Sequence, residues 1–555
     1  MSSEAVTVSE NPDDHPSYLD DTGKNKGLKA WIFSTDHKRI GILYLVALLS
    51  WFAVGVTLGF LIRLELLTPG KTIVDPQAYN EFFTLHGVVM LFLFVIPGLP
   101  AVFGNFFLPI MLGAKDVAFP RLNLLSWYLY MIGGFLVILS IVLPGGAPDT
   151  GWTFYIPYSI RTSTNMIFAL TAVFILGFSS ILTGLNFLTT IHRMRAPGMG
   201  WFKMPLFAWS LYATGWIQIL ATPIIGITLL LVIVERVFHV GIFDPALGGD
   251  PIMFQHMFWI YSHPAVYIMA VPAMGVISEI LPVFAKRTIF GYRFIAFSSL
   301  AIALFGSLVW AHHMFAVGMS DQAEFIFSLL TFLVAIPSAI KVFNWTATLY
   351  KGSISLDPPM LYALAAIFLF SIGGLTGIIQ GTLSVDIQIT DTAFIVGHIH
   401  YVVFGITGVG IFAALHYWLP KMIGRMYNHK VAKIAFWIFF VGFNVLYFPM
   451  FVMGWLGMPR RYYDYLPQYT IYHQISTVGS WIMITGLIIM FYNLIKSVKY
   501  GKKIDAKAVW VYGDTLEWTV PTPPPHENFD EIPAVTGGPY EYKFNDEPIL
   551  EEEES

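Results

Sequence analysis

Residues 252–284 read IMFQHMFWIYSHPAVYIMAVPAMGVISEILPVF. The run is longer than the roughly twenty apolar residues that cross a bilayer as a helix. It nevertheless carries an imidazole, His263, about a third of the way in, and a phenol, Tyr267, four residues further along the same helical face. An ionisable side chain at that depth is costly and is a functional candidate by default. His256, nearer the start of the run, reads as an ordinary hydrogen-bonded residue, and so does His416.

Comparable runs lie on both sides, at 38–62, 82–112, 122–144, 163–190 and 206–236 before it, and at 290–316, 324–349, 359–383, 393–420, 431–456 and 473–497 after it. Together they predict an all-α polytopic membrane protein, with about twelve transmembrane helices over residues 31–500 embedded in a lipid bilayer. Residues 1–30 read as a polar cytoplasmic N-terminal tail and 501–555 as a cytoplasmic tail rich in proline and acid. The stretch after Lys507, with Pro521, Pro523, Pro524, Pro525 and the run Glu551 to Glu554, is expected to be loosely structured and solvated. No removable signal peptide is expected, so insertion would rely on the first spanning helix.

Composition agrees. The chain is 56% hydrophobic and 12% charged, with mean hydropathy +0.65, where soluble proteins carry about 25% charged residues. A net charge of -4 with no basic stripe gives no sign of nucleic-acid binding. The absence of cysteine excludes disulfides, iron–sulfur clusters, thiolate zinc sites, covalently attached heme and cysteine nucleophiles. Metals must be held by His, Asp, Glu, Tyr or Met.

Lys24, Lys26, Lys29, Lys38, Arg39, Arg193, Arg195, Lys286, Arg287, Lys421, Arg425, Lys496 and Lys499 fall on one side if the helices alternate. The positive-inside rule then places both termini in the cytoplasm, as in a bacterial-type inner membrane. Arg63, Lys71, Arg460 and Arg461 fall on the other side, where basic residues are less expected and invite the question of which anions they bind.

Six of the fifteen histidines, His86, His263, His312, His313, His398 and His400, lie within apolar runs or at their outer ends. With alternating helix directions, all six fall in the outer half of the membrane, in one layer, from four helices. His398 and His400 are separated by about 200° around a helix, so one helix can serve two metal centres that flank it. His312 and His313, adjacent at the end of the seventh run, can converge on one metal. Three neutral imidazoles suit copper or zinc. Imidazoles from two helices suit a six-coordinate heme iron, and one imidazole with an open position suits an oxygen-activating heme. Spacing alone allows several divisions of the six.

The segments LHGVVM (85–90), HPAVY (263–267), WAHHMF (310–315), GHIHYVVFG (397–405) and GMPRRY (457–462) resemble, in the same order, subunit I of cytochrome c oxidase and related heme–copper oxygen reductases. The resemblance runs from about Trp31 to about Lys503. It implies a terminal oxidase subunit that reduces O2 to water, coupled to proton uptake from the inside and to proton pumping. It also supplies the ligand division: a low-spin heme on His86 and His400, a high-spin heme on His398, and copper B on His263, His312 and His313. Both hemes would be heme A. Tyr267 would be catalytic and cross-linked to His263. Arg460 and Arg461 would hold the heme propionates with Asp386 nearby, and Arg63 would meet a formyl group. One proton route would use Lys341 with Ser338 and Tyr267, the other Asp116 with Asn105 and Asn123. Glu65 resembles a peripheral Ca or Na ligand, and Asp391 half of a Mg or Mn site. The implied partners are oxidase subunits II and III and cytochrome c or a c-type heme domain, in a respiratory supercomplex or outside one.

Two positions depart from the family pattern. Ala265 stands where the family usually has a glutamate that relays protons, and Tyr261 and Ser262 just before it match a branch in which the phenol replaces that carboxyl. Thr390 stands where many members have a histidine before Asp391. The competing readings are a quinol-oxidising relative, a nitric oxide reductase, and a polytopic cytochrome or metal transporter without catalysis. Tyr267 and Lys341 argue against the reductase.

Overall fold

Asp36, Asp75, Asp250, Ser320 and Asn428 each stand one residue before a long apolar helix, and each side chain accepts a backbone N–H of the first turn, at 2.8 Å for Lys38, 2.9 Å for Ala78, 2.8 Å for Ile252, 3.3 Å for Ala323 and 3.1 Å for Val431. These caps satisfy amides that have no intrahelical partner. The computed structural model describes residues 16–21, 25–504 and 509–540. Within them, eleven helices are long and apolar enough to cross a membrane. They are α1 (His37–Glu65), α2 (Pro76–Met111), α3 (Pro120–Val142), α4 (Met166–Arg193), α5 (Leu206–Phe238), α6 (Pro251–Ala285), α8 (Asp321–Leu349), α9 (Pro358–Gly381), α10 (Ala393–Ile423), α11 (His429–Trp455) and α12 (Pro467–Tyr500), and the shorter apolar helix α7 (Tyr292–Gly306) brings the total to the expected twelve.

The helices differ in how much they touch protein. Every residue in the most apolar window of α6 is buried, as are 94% in α10 and 83% in α2, against 17% in α8 and 22% in α1. The three most enclosed helices therefore form the centre, and the apolar outer faces of the others are left to lipid. Backbones approach closely where side chains are absent. A Cβ on Gly442 would lie 2.2 Å from the Met483 amide nitrogen, and one on Gly479 2.4 Å from that of Leu446, so α11 and α12 pack through glycines. α2 is π-helical at Val89–Val95 and Gly98–Gly104, and α10 at His400–Gly408. In α2, Pro97 cannot supply the N–H that would reach the Leu93 carbonyl, and the Tyr130 hydroxyl donates to that carbonyl instead, at 2.6 Å.

Two expectations are corrected. The seventh run does not continue as one helix to residue 316. α7 stops at Gly306, and His312 and His313 sit on a separate 3-10 turn, Trp310–Met314. Hydropathy could not show this, because the residues stay apolar past the helix end. The C-terminal tail is also not loose where it is described. Residues 509–540 form a strap across the end of the helix bundle where α1 begins and α12 ends, called here the terminal side. Trp510, Trp518, Val520 and Tyr540 are buried. Trp510 Nε1 donates to the Tyr417 carbonyl (2.9 Å), Lys421 Nζ to the Val520 carbonyl (2.6 Å), and the Tyr540 hydroxyl to Glu279 Oε1 on α6 (2.7 Å). Tyr18 of the N-terminal tail is buried too and donates to the Met422 carbonyl at 2.9 Å. The acidic run Glu551 to Glu554 lies outside the described residues.

The strap should therefore resist protease through Tyr540 in the folded protein. Trp518→Ala should weaken its docking by about 3–5 kcal/mol. Limited proteolysis of the purified protein in detergent would then cut within 509–540 while the helices stay intact, and wild-type cleavage at the same rate would refute the packed strap.

Candidate metal centre

Four of the six layer histidines are oriented through the ring nitrogen that faces protein. His86 Nδ1 lies 2.8 Å from the Gly55 carbonyl of α1, and His400 Nδ1 lies 2.7 Å from the Val396 carbonyl one turn back. His398 Nδ1 meets Thr376 Oγ1 of α9 at 3.0 Å, and His312 Nδ1 meets Thr331 Oγ1 of α8 at 3.0 Å. Carbonyls can only accept, and each threonine hydroxyl already donates to a carbonyl in its own helix, so each Nδ1 must carry the proton. All four rings thus leave Nε2 bare, the tautomer a metal requires.

Across α2 and α10, the His86 and His400 rings are 6.4 Å apart between centres and 21° from parallel. Once the ring radii are removed, that gap is close to two metal–imidazole bonds of roughly 2.0–2.1 Å. His263, His312 and His313 place their ligand nitrogens within 4.8 Å of one another, and they are the only such trio of His, Cys, Asp or Glu among the described residues. His263 Nε2 is buried without a partner. Trp259 lies flat against His313, with centres 3.8 Å apart and planes 14° apart, which fixes that ring. Tyr267 meets His263 edge-on at 5.0 Å. Its seat depends on Gly306, where a Cβ would lie 2.4 Å from the phenol ring.

A cavity of about 330 Å³ runs from His86 and His400 to His313 and on to Arg460 and Arg461. Its walls are mostly apolar, with guanidinium groups at the edges. Arg63 Nη2 donates to the His473 carbonyl at 3.0 Å, while its buried Nε has no partner. Arg461 packs under Gly151, where a Cβ would sit 2.8 Å from its Nη1. Burial pushes Arg461 down to about 10, so it stays charged at neutral pH. Opposed imidazoles, apolar walls and paired guanidinia fit a heme with carboxylate arms. The trio of imidazoles fits copper or zinc.

The other expected residues divide into those the structure brings to these sites and those it does not. Asp386 is buried but does not line the cavity, and its carboxyl is raised to about 7 by burial. Asp391 is exposed and ion-paired with Arg460. The Glu65 carboxylate accepts the backbone amides of Thr72 (3.0 Å), Ile73 (2.7 Å) and Val74 (2.9 Å), so it closes a turn. Glu65 and Asp391 were candidates through the family resemblance, and only tertiary structure shows the amides and the guanidinium that they meet.

Lys341 is buried, and its Nζ donates to Ser299 Oγ (2.7 Å) and the Ile295 carbonyl (3.0 Å) of α7. Ser338 instead donates to its own helix, to the Val334 carbonyl at 3.1 Å. Ser299 was missed because α7 reads as an apolar segment. On the other route, burial raises the Asp116 carboxyl to about 7. Asn105 Oδ1 and both polar atoms of the Asn123 side chain are buried without partners, which marks places for ordered water. Sequence reasoning also missed a hydroxyl cluster: Tyr44 lies 3.0 Å from Ser126 Oγ and 3.1 Å from Ser179 Oγ, and Ser126 donates to the Asn123 carbonyl at 2.7 Å. The pair Ser179–Ser180 inside an apolar helix was the signal available. Tyr261 and Ser262 are buried beside Ala265.

A family model described as Cytochrome C and Quinol oxidase polypeptide I matches residues 39–482. The chain is 41% identical over 531 residues to cytochrome c oxidase subunit 1 of Synechocystis sp., covering 96% of each. It is 41% identical over 521 residues to cytochrome c oxidase subunit 1 of Thermostichus vulcanus, covering 93% of this chain and 94% of that one. The fold is similar to that of a solved heme-copper terminal oxidase dimer, with TM-score 0.68 at 21% identity over 84% of this chain and 85% of that one.

If Thr331 orients His312 as a ligand, Thr331→Val should weaken metal binding at the trio by about 10- to 100-fold. His312→Ala should abolish it. Elemental analysis after graded chelation reads both, and equal retention by wild type and Thr331→Val would show that the threonine does not support a ligand.

Proposed function

This chain belongs to the Cytochrome C and Quinol oxidase polypeptide I family, and from that membership we propose that it is the catalytic subunit of a respiratory terminal oxidase that reduces O2 to water with electrons from cytochrome c. The observation that carries the reading is the imidazole trio of His263, His312 and His313 with the Tyr267 ring packed against it. His86 and His400 would hold a low-spin heme, His398 a high-spin heme and the trio copper B. Both hemes are taken as heme A, because Arg63 offers a guanidinium to a formyl group. When bound, these groups supply the redox chemistry: iron and copper deliver electrons to oxygen.

The residues of the chain handle orientation, protons and charge. Tyr267 places an O–H beside the trio, where a phenol can give up a proton together with an electron. Arg460 and Arg461 neutralise carboxylates at the outer edge of the cavity. Lys341, held by Ser299, stands on the terminal-side approach to Tyr267. Asp116, the Asn105–Asn123 pair and the Tyr44–Ser126–Ser179 cluster mark a second approach that ends at Tyr261. The terminal side is the cytoplasmic face of an inner membrane in this reading, so protons enter from the inside and turnover moves charge at about 2.3 kcal/mol per charge per 100 mV. Proton pumping would run through Tyr261 and Ser262 in place of the absent glutamate. Subunits II and III are the expected partners, with subunit II delivering electrons.

The test is oxygen uptake by the purified complex with reduced cytochrome c or a quinol as donor, with a carbon monoxide difference spectrum alongside. Cytochrome c should sustain turnover and carbon monoxide should bind one heme. Turnover on quinol alone, or no carbon monoxide band, would refute the assignment. Tyr267→Phe should lower the rate by about 10²-fold or more with metals retained.

The pH dependence follows from Asp116. Burial raises its carboxyl to about 7, so the folded chain keeps a proton that the unfolded chain loses near pH 4. The stability linked to this group falls as pH rises from about 4 to 7, and its protonated population empties above about 7. A carboxyl infrared band should disappear over that range in wild type and be missing from Asp116→Asn, whereas a band lost near pH 4 would contradict the burial argument.

A further inference from the structure

The hydroxyl cluster does not reach Tyr261 directly. Between them lies a cavity of about 30 Å³, walled by α2, α3, α4, α5 and α6, with room for about two waters. Most of its wall is apolar. Its polar groups come from Ser179, Ser180 and Thr183 of α4, Gln218 of α5, Tyr261 of α6 and Tyr130 of α3, whose hydroxyl already donates to the Leu93 carbonyl. Among the described residues, the Tyr261 hydroxyl has no hydrogen-bond partner. Gln218 is 2% exposed, and its Oε1 is buried without a partner. One turn along α5, Thr222 Oγ1 is also buried and unpartnered, as is Ser180 Oγ on α4.

A glutamine between membrane helices usually serves to hydrogen-bond one helix to another. Gln218 does not do so. It is pressed against α4 where that helix has Gly184: a Cβ there would lie 2.9 Å from Gln218 Cβ and 3.1 Å from its Oε1. The missing methyl leaves the carboxamide just enough space beside the cavity. A carboxamide left there without a partner is destabilising, and water in the cavity supplies the missing partner.

We propose that Gln218 is a positioning residue of the proton route. Its carboxamide both donates and accepts, and it holds the water that joins the Ser179–Ser180 pair to the Tyr261 hydroxyl. With Ala265 one turn along α6 from Tyr261 there is no carboxylate nearby to gather that water, and the amide on α5 takes over the placement. One proton enters the Tyr261 oxygen from the held water, which takes one in turn from the Ser179–Ser180 side, as the phenol O–H passes its own proton to the next acceptor toward the metal centre, so water and phenol are both neutral before and after. The proposal rests on the reading of Tyr261 as a relay.

The experiment uses the complete complex in vesicles, with Gln218→Leu and Gln218→Met as apolar replacements, Gln218→Glu as polar rescue and Tyr261→Phe as the control on the underlying reading. Each is measured for protons moved per electron, for the pH profile of oxygen uptake, and for heme spectra and copper content. The apolar variants should slow the proton-coupled phase by about tenfold to 10²-fold and lose pumping, with spectra and copper unchanged. Gln218→Glu should restore turnover with a new limb in the pH profile. Either apolar variant that assembles decides the matter: wild-type rate, pumping and pH profile overturn the role of Gln218. If Tyr261→Phe is slowed while the Gln218 variants are not, only this proposal fails; if Tyr261→Phe is also unaffected, the Tyr261 relay itself is wrong.

Discussion

A neutral imidazole can offer one nitrogen to a metal only when something takes the proton on the other, and inside a membrane that something must be protein. In this chain the acceptors are the carbonyls of Gly55 and Val396 and the hydroxyls of Thr376 and Thr331. They come from α1, α10, α9 and α8, so four helices must keep their register at once for the layer of ligands to exist. A ring whose N–H lost its acceptor would cost about 1–3 kcal/mol and could turn its ligating nitrogen away. The close glycine packing of α11 on α12 and the enclosure of the most apolar stretch of α6 serve the same end, because they leave the helices little freedom to slide or rotate.

Much of this was legible in the sequence. Apolar runs gave the helix count, alternation gave the side on which each histidine falls, and the two-residue spacing of His398 and His400 put them on opposite faces of α10. What stayed hidden has specific causes. The end of α7 at Gly306 was invisible because apolar residues continue past it. Thr331 and Thr376 look like any threonine in a helix, and their role depends on which ring lies across the gap. Ser299 in α7 gave no sign that it would hold Lys341. The three amides of the following turn that Glu65 accepts could not be read from its sequence neighbours. The strap escaped notice because proline and acid suggest a solvated tail, whereas its tryptophans and Tyr540 are what bury it.

The strap changes how the basic residues of the terminal side are understood. Lys38 and Lys421 read as topology signals, yet both are fully buried. Lys38 Nζ donates to Asn528 Oδ1 and to the His526 carbonyl at 2.8 Å each and is paired with Asp36. The charges that the sequence offers as topology signals are thus drawn into the joint between the helices and the strap. The joint lies next to Asp116, whose carboxyl burial raises for the same reason.

The π-helical stretches bear on heredity. An α-helix turns by about 100° per residue, so an insertion or deletion of one residue normally throws everything beyond it onto the wrong face. In α10 the wider turn begins at His400 itself, and in α2 two such turns follow His86. Each is a place where one surplus residue is already absorbed. Relatives can thus differ in length by a residue there, with the half that carries the ligands unchanged and the other half re-phased against new neighbours. An alignment that forbids gaps inside these helices would misplace the terminal-side residues of such a relative, His416 among them, while matching His86, His398 and His400.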